Sequence, residues 1–578
     1  MLRVRWLGRV AFGDALVLQR ALHGAGGDDG HLLLMEHPHV FSLGVRGADR
    51  DVLVDPATVG AEVVRADRGG QVTYHGPGQL VGYPIVPVPG GPGAVPAHMA
   101  ALEQVVIDAL AEVGLPGCGR VDRPGYEGVW VDPTGPRPRK VCAVGARVTR
   151  GRSMHGFALN VDPDLAMFGH IVPCGLAGEP VTSLAAEGLN VSMATVVDAV
   201  ARHAALRWAA AARSSGDGPG GVERQDVAWR VSAADLAPFS RGRGPGAPVG
   251  PDGHGPAPAP VRLLGRLAEA GVDPDAAVPL GAAKPSWLRP KVRHGPEVLA
   301  LRKRLRALDL VTVCEEAGCP NLSECWAEGT ATFMVLGGRC TRACGFCLVD
   351  TSHPLAVDLG EPARVAEAVA TAGIAHAVVT MVARDDLADG GAAHVAATVA
   401  AIRRRRPTCA VEVLISDMRG DPAALDLVAA ARPEIWNHNV ETVPRLQRAV
   451  RPQASYARSL AVLARGRAAG LTTKSSVILG LGEEEHEVLG VLADLAAVGT
   501  GIVTLGQYLR PTGTHLPVAR WWHPDDFVRL KAAGEAMGIA HIEASPLTRS
   551  SYHAARAATA ARAATVPATA LATALATT

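Results

Sequence analysis

The order of apolar runs in the second half of the chain decides its fold. Residues 361–373 read EPARVAEAVATAG, 376–382 read HAVVTMV, 392–406 read AAHVAATVAAIRRRR and 410–416 read AVEVLIS. The first and third runs have apolar residues at helical spacing, whereas the second and fourth are short stretches typical of buried strands. Repeated βα units of this length indicate a parallel sheet, and a full or partial barrel is its simplest closure. Chemically active groups are then expected at the carboxyl ends of the strands.

The rest of the chain divides by composition around this α/β unit, which we predict to span residues 261–554. Residues 214–260 are rich in Gly and Pro and predict a linker, in which 222–239 (VERQDVAWRVSAADLAPF) is predicted to form a short helix. Residues 1–213 mix alternating and helical runs and predict a second domain with an α/β or α+β layer fold. The Ala/Thr-rich tract 555–578 predicts a frayed, disordered tail.

Composition excludes several classes of protein. A chain of 578 residues with 48% hydrophobic and 20% charged residues is neither disordered nor collagen-like, and it is too long for one core. A net charge of +1 provides no global field for nucleic acid. Ten cysteines are too sparse for a secreted disulfide scaffold, and we find no signal peptide and no uncharged apolar span long enough for a membrane. We therefore expect a cytoplasmic protein with neither nucleic acid nor membrane as partner.

Six of the ten cysteines fall within residues 314–347, in two sets. Cys340, Cys344 and Cys347 form C-x3-C-x2-C directly after the apolar strand TATFMVLGG. Three thiolates on one short loop can hold three irons of a [4Fe–4S] cube and leave the fourth iron open to another ligand. A zinc site usually takes four protein ligands, or three and a water. Three unrelated core thiols are the remaining alternative, which this density and spacing disfavour.

The second set, CEEAGCPNLSECW (314–326), has the more distinctive spacing C-x4-C-x5-C. Together with CTRACGFC (340–347), RDDLADGGA, NHNVETVPRL and RSSYHA in this order, it resembles lipoyl synthase of the radical S-adenosylmethionine superfamily. The resemblance covers residues 261–554 and implies a partial (β/α) barrel of the TIM type. It also implies two [4Fe–4S] clusters and S-adenosylmethionine as cofactors, with an electron donor protein as a partner.

The resemblance to lipoyl synthase also assigns ligands to both clusters. Cys340, Cys344 and Cys347 would bind the cluster whose open iron chelates S-adenosylmethionine, which is then cleaved to a 5′-deoxyadenosyl radical. The radical would remove hydrogen at carbons 6 and 8 of a protein-bound octanoyl group, and the auxiliary cluster would supply the sulfur. The implied ligands of the auxiliary cluster are Cys314, Cys319, Cys325 and Ser551. Without the resemblance, Ser550 or Ser551 reads more simply as the N-cap of a helix in YHAARAATAARA.

Four polar residues at or after a strand end are candidates for binding S-adenosylmethionine, although polar side chains that only contact solvent explain them nearly as well. They are Asn437, Asn439, Glu441 and Arg451.

A single lysine stands out in the first domain. Lys140, in RKVCAVGARV (139–148), is the only Lys before residue 284. Arg cannot lose a proton near neutrality, so a site that needs an adjustable amine must keep Lys, although a chance surface residue is the alternative. Cys142 shares a strand face with Lys140 but is typical of a small buried thiol. Cys174, between Pro and Gly in IVPCG, is the better candidate for a nucleophile, and a nearby ammonium would favour its thiolate.

The glycine-rich stretch RGGQVTYHGPGQLVGYP spans residues 68–84. With RKVCAVGARV, MHGFALNV and IVPCG it resembles octanoyl-[acyl-carrier-protein]:protein N-octanoyltransferase, whose α/β fold is shared by biotin and lipoate protein ligases. The resemblance implies that Cys174 carries an acyl thioester and that Lys140 tunes it and shuttles protons. A Cys–His pair using His75 or His155 is the competing mechanism. The implied acyl-binding residues are Arg68, Gly69, Gly70, Gln71, Val72, Thr73, Tyr74, His75, Ala143, Val144, Gly145, Gly156, Phe157 and Ala158.

The two resemblances together predict a natural fusion of consecutive enzymes: octanoyl transfer to a carrier-domain lysine, then sulfur insertion into the same chain. The implied protein partners are octanoyl-acyl carrier protein and the lipoyl carrier domains of 2-oxoacid dehydrogenase E2 subunits and glycine cleavage H protein. Two alternatives remain. The first half is instead an ATP-dependent lipoate ligase, which needs no nucleophilic Cys, or the chain is a non-catalytic scaffold that binds lipoyl domains.

Overall fold

The computed structural model describes most of the chain in two compact units, Met1–Trp229 and Arg230–Thr578. The described residues are 1–123, 125–172, 180–209, 221–229, 261–289, 295–308, 310–312, 321–327 and 329–565. Cys174, Cys314 and Cys319 therefore lie outside the described residues, as do most of the predicted linker and residues 566–578 of the predicted tail. Both units are α/β, which confirms the predicted fold class.

The first unit contains ten strands and three α-helices among its described residues. Its strands are β1 (Leu2–Arg9), β2 (Gly30–Glu36), β3 (Val40–Leu43), β4 (Glu62–Arg65), β5 (Val72–His75), β6 (Gln79–Ile85), β7 (Val129–Val131), β8 (Arg139–Thr149), β9 (Arg152–Asn160) and β10 (Val222–Asp226). Its helices are α1 (Phe12–Ala25), α2 (Ala94–Glu112) and α3 (Met193–Trp208). A seven-stranded mixed sheet has the order β10-β1-β2-β6-β9-β8-β7, and a small sheet has the order β4-β3-β5.

The long apolar helix α2 belongs to the core of this unit. Leu102, Val106 and Leu110 on one face of α2 are fully buried with residues of β1, β2 and β9. Within the described part of the chain, α2 is the one helix long and apolar enough to cross a membrane, and 44% of its apolar window is buried inside the protein.

The segment predicted as a linker contributes a strand to the first unit. β10 pairs in parallel with β1, from Leu2↔Val222 to Trp6↔Asp226. Trp229 then stacks on Trp6, with the ring centroids 4.5 Å apart. The predicted helix is therefore wrong at residues 222–226, because these residues satisfy the backbone groups that the edge of β1 would leave open. The first unit extends to Trp229 rather than to the predicted boundary at residue 213.

The second unit contains eight strands among its described residues. They are β11 (Val311–Thr312), β12 (Thr330–Val335), β13 (His376–Met381), β14 (Ala410–Leu414), β15 (Ile435–Asn437), β16 (Thr472–Leu479), β17 (Ile502–Gln507) and β18 (His541–Ala544). Its helices are α4 (Val261–Glu269), α5 (Pro296–Ala307), α6 (Leu322–Ala327), α7 (Glu361–Thr371), α8 (Ala392–Arg405), α9 (Pro422–Ala430), α10 (Gln447–Val450), α11 (Tyr456–Ala468), α12 (Glu485–Ala497), α13 (Pro524–Ala536) and α14 (Ala554–Thr565).

These strands form one open sheet in chain order. β12 to β18 are parallel neighbours, with one or two helices between successive strands, and β11 pairs antiparallel with β12. Within the described residues β11 and β18 are the two ends of the sheet. This is the arrangement that the predicted partial barrel requires, and it brings the carboxyl ends of seven strands to one edge.

The predicted tail begins with an ordered helix. α14 starts at Ala554, and its residues Ala557 and Ala558 are buried in a cluster with Ile435 and Ile502 of the sheet. Alanine has the highest helix propensity, so this composition supports a helix wherever a packing surface is present. Because α14 begins at Ala554, neither Ser550 nor Ser551 is its N-cap.

Candidate active sites

A cavity of about 260 Å³ lies in the first unit, between the glycine-rich stretch and strands β8 and β9. All but two of the predicted acyl-binding residues line it, and the two exceptions follow from strand geometry. Thr73 and His75 of β5 face the cavity, whereas Val72 and Tyr74 point to the opposite face and are fully buried in a separate core cluster. A strand alternates its side chains between two faces, so the four side chains of β5 cannot all face one ligand.

Glycines let the wall of this cavity form. A Cβ added to Gly145 would lie 3.2 Å from the Gly69 carbonyl oxygen, and the Gly69 N–H donates to the Ala146 carbonyl over 3.4 Å. Gly70 has φ +88°, a conformation that other residues rarely adopt. The loop therefore lies flush against β8, where a larger residue would hold it away.

Sequence reasoning missed six residues that complete the cavity. They are Phe12, Arg46, Val81, Tyr83, Gly125 and Glu127. Val81 and Tyr83 alternate along β6 within the stretch 68–84, so their period of two was an available signal. Phe12 comes from α1, and its contact depends on the order of strands in the sheet, which no local pattern reveals.

Lys140 lies next to this cavity. Its Nζ lies 5.1 Å from the centroid of the Trp130 ring. Lys140 also lines a small second cavity together with Thr73, Ala143 and Ala158, and these three residues line the main cavity as well. Cys142 is fully buried, and burial raises the pKa of its thiol far above the usual value. The structure thus places Lys140 beside a ligand-sized cavity and leaves Cys142 as a core thiol.

Both histidines of the competing mechanism line the main cavity in neutral form. Burial, with His37 and Arg68 nearby, lowers the pKa of His75 well below its usual value. Burial also lowers the pKa of His155, although the Asp67 carboxylate opposes the shift. The His75 ring is held on both sides, by Ser42 Oγ at 3.1 Å and by Gln79 Oε1 at 2.8 Å.

In the second unit, the loop of Cys340, Cys344 and Cys347 follows β12 and is tied to neighbouring segments by its backbone. The Cys340 N–H donates to the Asp350 carbonyl over 2.8 Å, and the Gly345 N–H to the Val450 carbonyl over 2.8 Å. These bonds hold the loop at the carboxyl edge of the sheet, where the sequence predicted active groups.

The side chain of Arg342 also holds this loop in place. It is buried and forms ion pairs with Asp385 at 2.8 Å and with Asp417 at 2.6 Å. A buried guanidinium shared by two carboxylates is a rigid support, because displacing it would leave charges unpaired.

The donor set of this loop, three thiols with backbone N–H groups around one sulfur, suits an iron–sulfur cluster. Burial, with Cys340 nearby, raises the pKa of Cys344 to about 11. The Cys347 N–H donates to the Cys344 carbonyl over 3.1 Å, so these two cysteines share one tight turn. The backbone N–H groups of Arg342 and Ala383 donate to Cys340 Sγ over 3.4 and 3.3 Å, as N–H groups do around cluster sulfurs. In the described part of the chain, no three His, Cys, Asp or Glu side chains converge on one ion. An iron–sulfur cube binds each thiolate on a separate iron.

Comparison with known proteins identifies both halves. Residues 11–205 match the family described as lipoyl protein ligase A/B catalytic domain, and residues 334–495 match the radical SAM superfamily. Lipoyl synthase of Rubrobacter xylanophilus is 54% identical over 273 residues, which are 47% of this chain and 85% of that protein. Lipoyl synthase of Leifsonia xyli subsp. xyli is 51% identical over 273 residues, 47% of this chain and 83% of that protein. The chain belongs to the lipoyl synthase family through its second half.

The predicted fusion is thereby confirmed at the level of families. The first half is a lipoate-protein ligase/octanoyltransferase catalytic domain, and the chain is an enzyme of lipoate biosynthesis. The lipoyl synthase family implies S-adenosylmethionine and iron–sulfur clusters as cofactors. Among solved structures, a bipartite lipoate protein ligase of Thermoplasma acidophilum aligns at 19% identity over 36% of this chain and 82% of its own, with a TM-score of 0.31.

In the lipoyl synthase half, the four candidates for binding S-adenosylmethionine form one group. Arg451 Nη1 donates to the carbonyls of Asn439 and Val440 over 2.9 Å, and Asn439 Nδ2 donates to Glu441 Oε1 over 2.9 Å. Burial raises the pKa of Glu441, and Arg451 only partly offsets it. Asn437, at the end of β15, is fully buried, and within the described residues its Oδ1 has no hydrogen-bond partner.

This group adjoins the cysteine loop. The Gly345 N–H of that loop donates to the carbonyl of Val450, the residue before Arg451, over 2.8 Å. After the dominant effect of burial, Arg451 lowers and Glu441 raises the pKa of Cys344. The described ligands of the predicted auxiliary cluster lie in adjoining segments. Cys325 is in α6, and Glu324 beside it accepts a hydrogen bond from Tyr552, the residue after Ser551, over 3.2 Å.

Proposed function

We propose that this chain performs two consecutive steps of lipoate biosynthesis, octanoyl transfer and sulfur insertion. The observation that carries the proposal is the presence in one chain of a lipoate-protein ligase/octanoyltransferase catalytic domain and a region that covers 85% of a lipoyl synthase. The product of the first step is the substrate of the second.

In the first step, Cys174 attacks the thioester of octanoyl-acyl carrier protein. A thioester on Cys174 forms, and the carrier thiol leaves with a proton. The amine of a carrier-domain lysine then displaces Cys174 to form the amide. Lys140 is the proposed proton carrier for both exchanges, and the cavity beside it holds the octanoyl chain against the walls of β8 and β9.

In the second step, the cofactors supply one-electron cleavage of S-adenosylmethionine and sulfur for carbons 6 and 8. Cys340, Cys344 and Cys347 are the proposed ligands of the radical SAM cluster. Two [4Fe–4S] clusters are proposed, and the ligands of the auxiliary cluster are Cys314, Cys319, Cys325 and Ser551. The group of Asn437, Asn439, Glu441 and Arg451 orients S-adenosylmethionine beside Cys344.

The proposed partners are octanoyl-acyl carrier protein, the lipoyl domains of 2-oxoacid dehydrogenase E2 subunits, glycine cleavage H protein and an electron donor protein. The match to the lipoyl protein ligase A/B catalytic domain supports a lipoyl carrier domain as acceptor. The proposed compartment is the cytoplasm, where cysteines stay reduced and available as ligands.

Intact mass of the chain after incubation with octanoyl-acyl carrier protein tests the first step. The proposal requires an added octanoyl group that maps to Cys174 and is absent from Cys174→Ala. Lys140→Arg keeps the positive charge but cannot release its proton, so transfer to a lipoyl domain is expected to fall. Octanoate activation that depends on ATP and persists in Cys174→Ala would instead identify a lipoate ligase.

Iron and sulfide analysis of anaerobically reconstituted chain tests the second step. Two cubes correspond to eight irons and eight sulfides per chain. The Cys340→Ala, Cys344→Ala, Cys347→Ala triple variant is expected to lose half of the iron and all cleavage of S-adenosylmethionine. A full complement of iron in that variant would overturn the ligand assignment, and absence of iron from the wild-type chain would support the scaffold alternative.

A further inference from the structure

Ser550 joins two parts of the second unit that belong to different proposed sites. Its Oγ accepts a hydrogen bond from Asn437 Nδ2 and donates one to Asn439 Oδ1, both over 3.1 Å. Asn439 in turn donates to Glu441 over 2.9 Å. The next residue, Ser551, is the proposed oxygen ligand of the auxiliary cluster. One hydroxyl group therefore connects the group proposed for S-adenosylmethionine with the segment that carries Ser551.

A buried ion pair fixes the far end of this chain of hydrogen bonds. Lys474 Nζ lies 3.0 and 3.1 Å from the two carboxylate oxygens of Glu412, and both side chains are fully buried. Asn437 Nδ2 donates to Glu412 over 2.7 Å. Asn437 is thus held from inside the sheet, so a displacement of Ser550 breaks its bond with Asn437 instead of moving the asparagine.

The segment around Ser550 is fastened on its other side to the proposed auxiliary site. Thr332 Oγ1 on β12 donates to Ser551 Oγ over 3.1 Å, and Asn321 Nδ2 donates to the Leu547 carbonyl over 2.7 Å. Tyr552 donates to Glu324, which precedes Cys325. The same few residues therefore contact both proposed sites. A shift of this segment at the auxiliary site would also change its contacts with the group proposed for S-adenosylmethionine.

We propose that Ser550 is a positioning residue that couples the binding of S-adenosylmethionine to the seating of Ser551. The inference rests on the proposed function of the second unit. With Ser551 seated, Ser550 holds Asn439, and through it Glu441, in the arrangement that receives the cofactor. When Ser551 leaves its place, Ser550 is withdrawn and the affinity for the cofactor falls. Coupling of two sites is reciprocal, so bound S-adenosylmethionine stabilises the seated segment.

Equilibrium dialysis of S-adenosylmethionine against the anaerobically reconstituted full chain tests the coupling. Ser550→Ala is expected to raise the Kd by about five- to tenfold, within the usual range for coupled sites. Its iron content is expected to equal that of the wild-type chain, because Ser550 is not a proposed ligand. Ser550→Thr keeps the hydroxyl and is expected to restore binding.

Ser545→Ala is the matched control, because it removes a serine hydroxyl from the same segment. Ser545 Oγ lies 2.9 Å from Thr548 Oγ1 and makes no described bond to Asn437 or Asn439. Its Kd is expected to match the wild-type value. Equal loss of affinity in Ser545→Ala and Ser550→Ala would overturn the coupling, because it would show general disturbance of the segment.

Hydrogen exchange of the peptide covering residues 546–553 measures the reverse direction. S-adenosylmethionine is expected to slow exchange there in the wild-type chain and not in Ser550→Ala. Equal Kd values for Ser550→Ala and the wild-type chain, or equal protection in both, would overturn the coupling and leave the proposed function intact. A wild-type chain that binds neither iron nor S-adenosylmethionine would overturn the proposed function itself.

Discussion

His155 donates through Nε2 to the Asp67 carboxylate over 2.9 Å, from a backbone with φ +59°. A left-handed conformation costs a non-glycine residue about 1–3 kcal/mol and persists only where the surroundings enforce it. Here the backbone N–H of His155 donates to the buried Gln19 side chain over 2.8 Å. Since the carboxylate accepts from Nε2 and the ring is neutral, Nδ1 is an acceptor, and no partner for it is found among the described residues.

This relationship predicts the effect of Asp67→Asn on acyl transfer. An amide at position 67 can donate to Nε2, which would move the ring proton to Nδ1 and replace an acceptor with a donor in a residue that lines the cavity. We expect kcat/KM for octanoyl-acyl carrier protein to fall about two- to tenfold, the value of one neutral hydrogen bond. Steady-state transfer assays check this, and an unchanged kcat/KM would show that the cavity does not use the His155 acceptor.

Gly82→Ala tests the packing behind the same cavity. A Cβ at Gly82 would lie 2.1 Å from the Phe157 ring, a distance that no side chain tolerates, and Phe157 lines the cavity. The ring must shift, so we expect a loss of about 1–3 kcal/mol in the free energy of unfolding. A shift in preference toward shorter acyl donors is expected as well, because the displaced ring narrows the cavity.

The matched control for Gly82→Ala is Gly13→Ala in α1. A Cβ at Gly13 meets no described atom within 4 Å, so this change is expected to keep the acyl preference and to stabilise the helix slightly. Chemical denaturation and assays with acyl donors of different lengths make the comparison. The interpretation of Gly82 is wrong if both variants keep wild-type stability and chain-length preference.

Glu412→Gln tests the buried ion pair under the proposed S-adenosylmethionine site. It leaves the Lys474 ammonium buried without a counter-charge, which typically costs about 3–5 kcal/mol. Glu535→Gln, which removes a partly exposed partner of Lys531 at 3.7 Å, is the control and is expected to cost less than about 1 kcal/mol. Calorimetric unfolding of the reconstituted chain separates them, and similar transition temperatures for the two variants would contradict the assignment.

The same pair predicts a pH dependence. Burial acts to raise the pKa of Glu412, but Lys474, His376 and Asn437 together outweigh it and hold the pKa at about 2. A depressed folded-state pKa means that the carboxylate stabilises the fold above its unfolded value of about 4.3 and loses this contribution as the pH falls toward 2. The wild-type chain is therefore expected to lose more stability than Glu412→Gln between those two pH values.

The local sequence predicted those parts of the two sites that consist of one continuous segment. The glycine-rich stretch from Arg68, the strand of Lys140 and the loop of Cys340 could be found because spacing and glycine content determine them directly. The place of the cysteine loop at the carboxyl edge of the sheet followed from the strand pattern, whereas the acyl-binding role of the glycine-rich stretch came from the resemblance. Within the predicted stretch Arg68–His75, Val72 and Tyr74 do not line the cavity but are buried in a separate core cluster. A resemblance assigns a whole motif, whereas a strand directs only every second side chain to one face.

Contacts between distant segments could not be predicted. Phe12 reaches the cavity from α1, and Ser550 reaches Asn437 across 113 positions of the chain. Such contacts depend on the order of strands in the sheet, and the periodicity of apolar residues contains no information about that order. β10 was missed for the same reason: VERQD resembles a polar linker until the open edge of β1 provides its hydrogen bonds.

The two alternative ends of the first unit therefore predict different behaviour of fragments 1–229 and 1–213. The longer fragment keeps β10 on the edge of β1 and the stack of Trp229 on Trp6, whereas the shorter one exposes that edge. We expect the 1–213 fragment to unfold at a lower denaturant concentration and to aggregate, because an open edge pairs with other chains. Trp229→Ala within 1–229 keeps the strand and removes only the stack, so it is expected to lose about 0.5–1.5 kcal/mol beyond the effect of its buried area. Denaturation and light scattering measure the stability and solubility of the two fragments. Equal values for both would show that the first domain ends at residue 213.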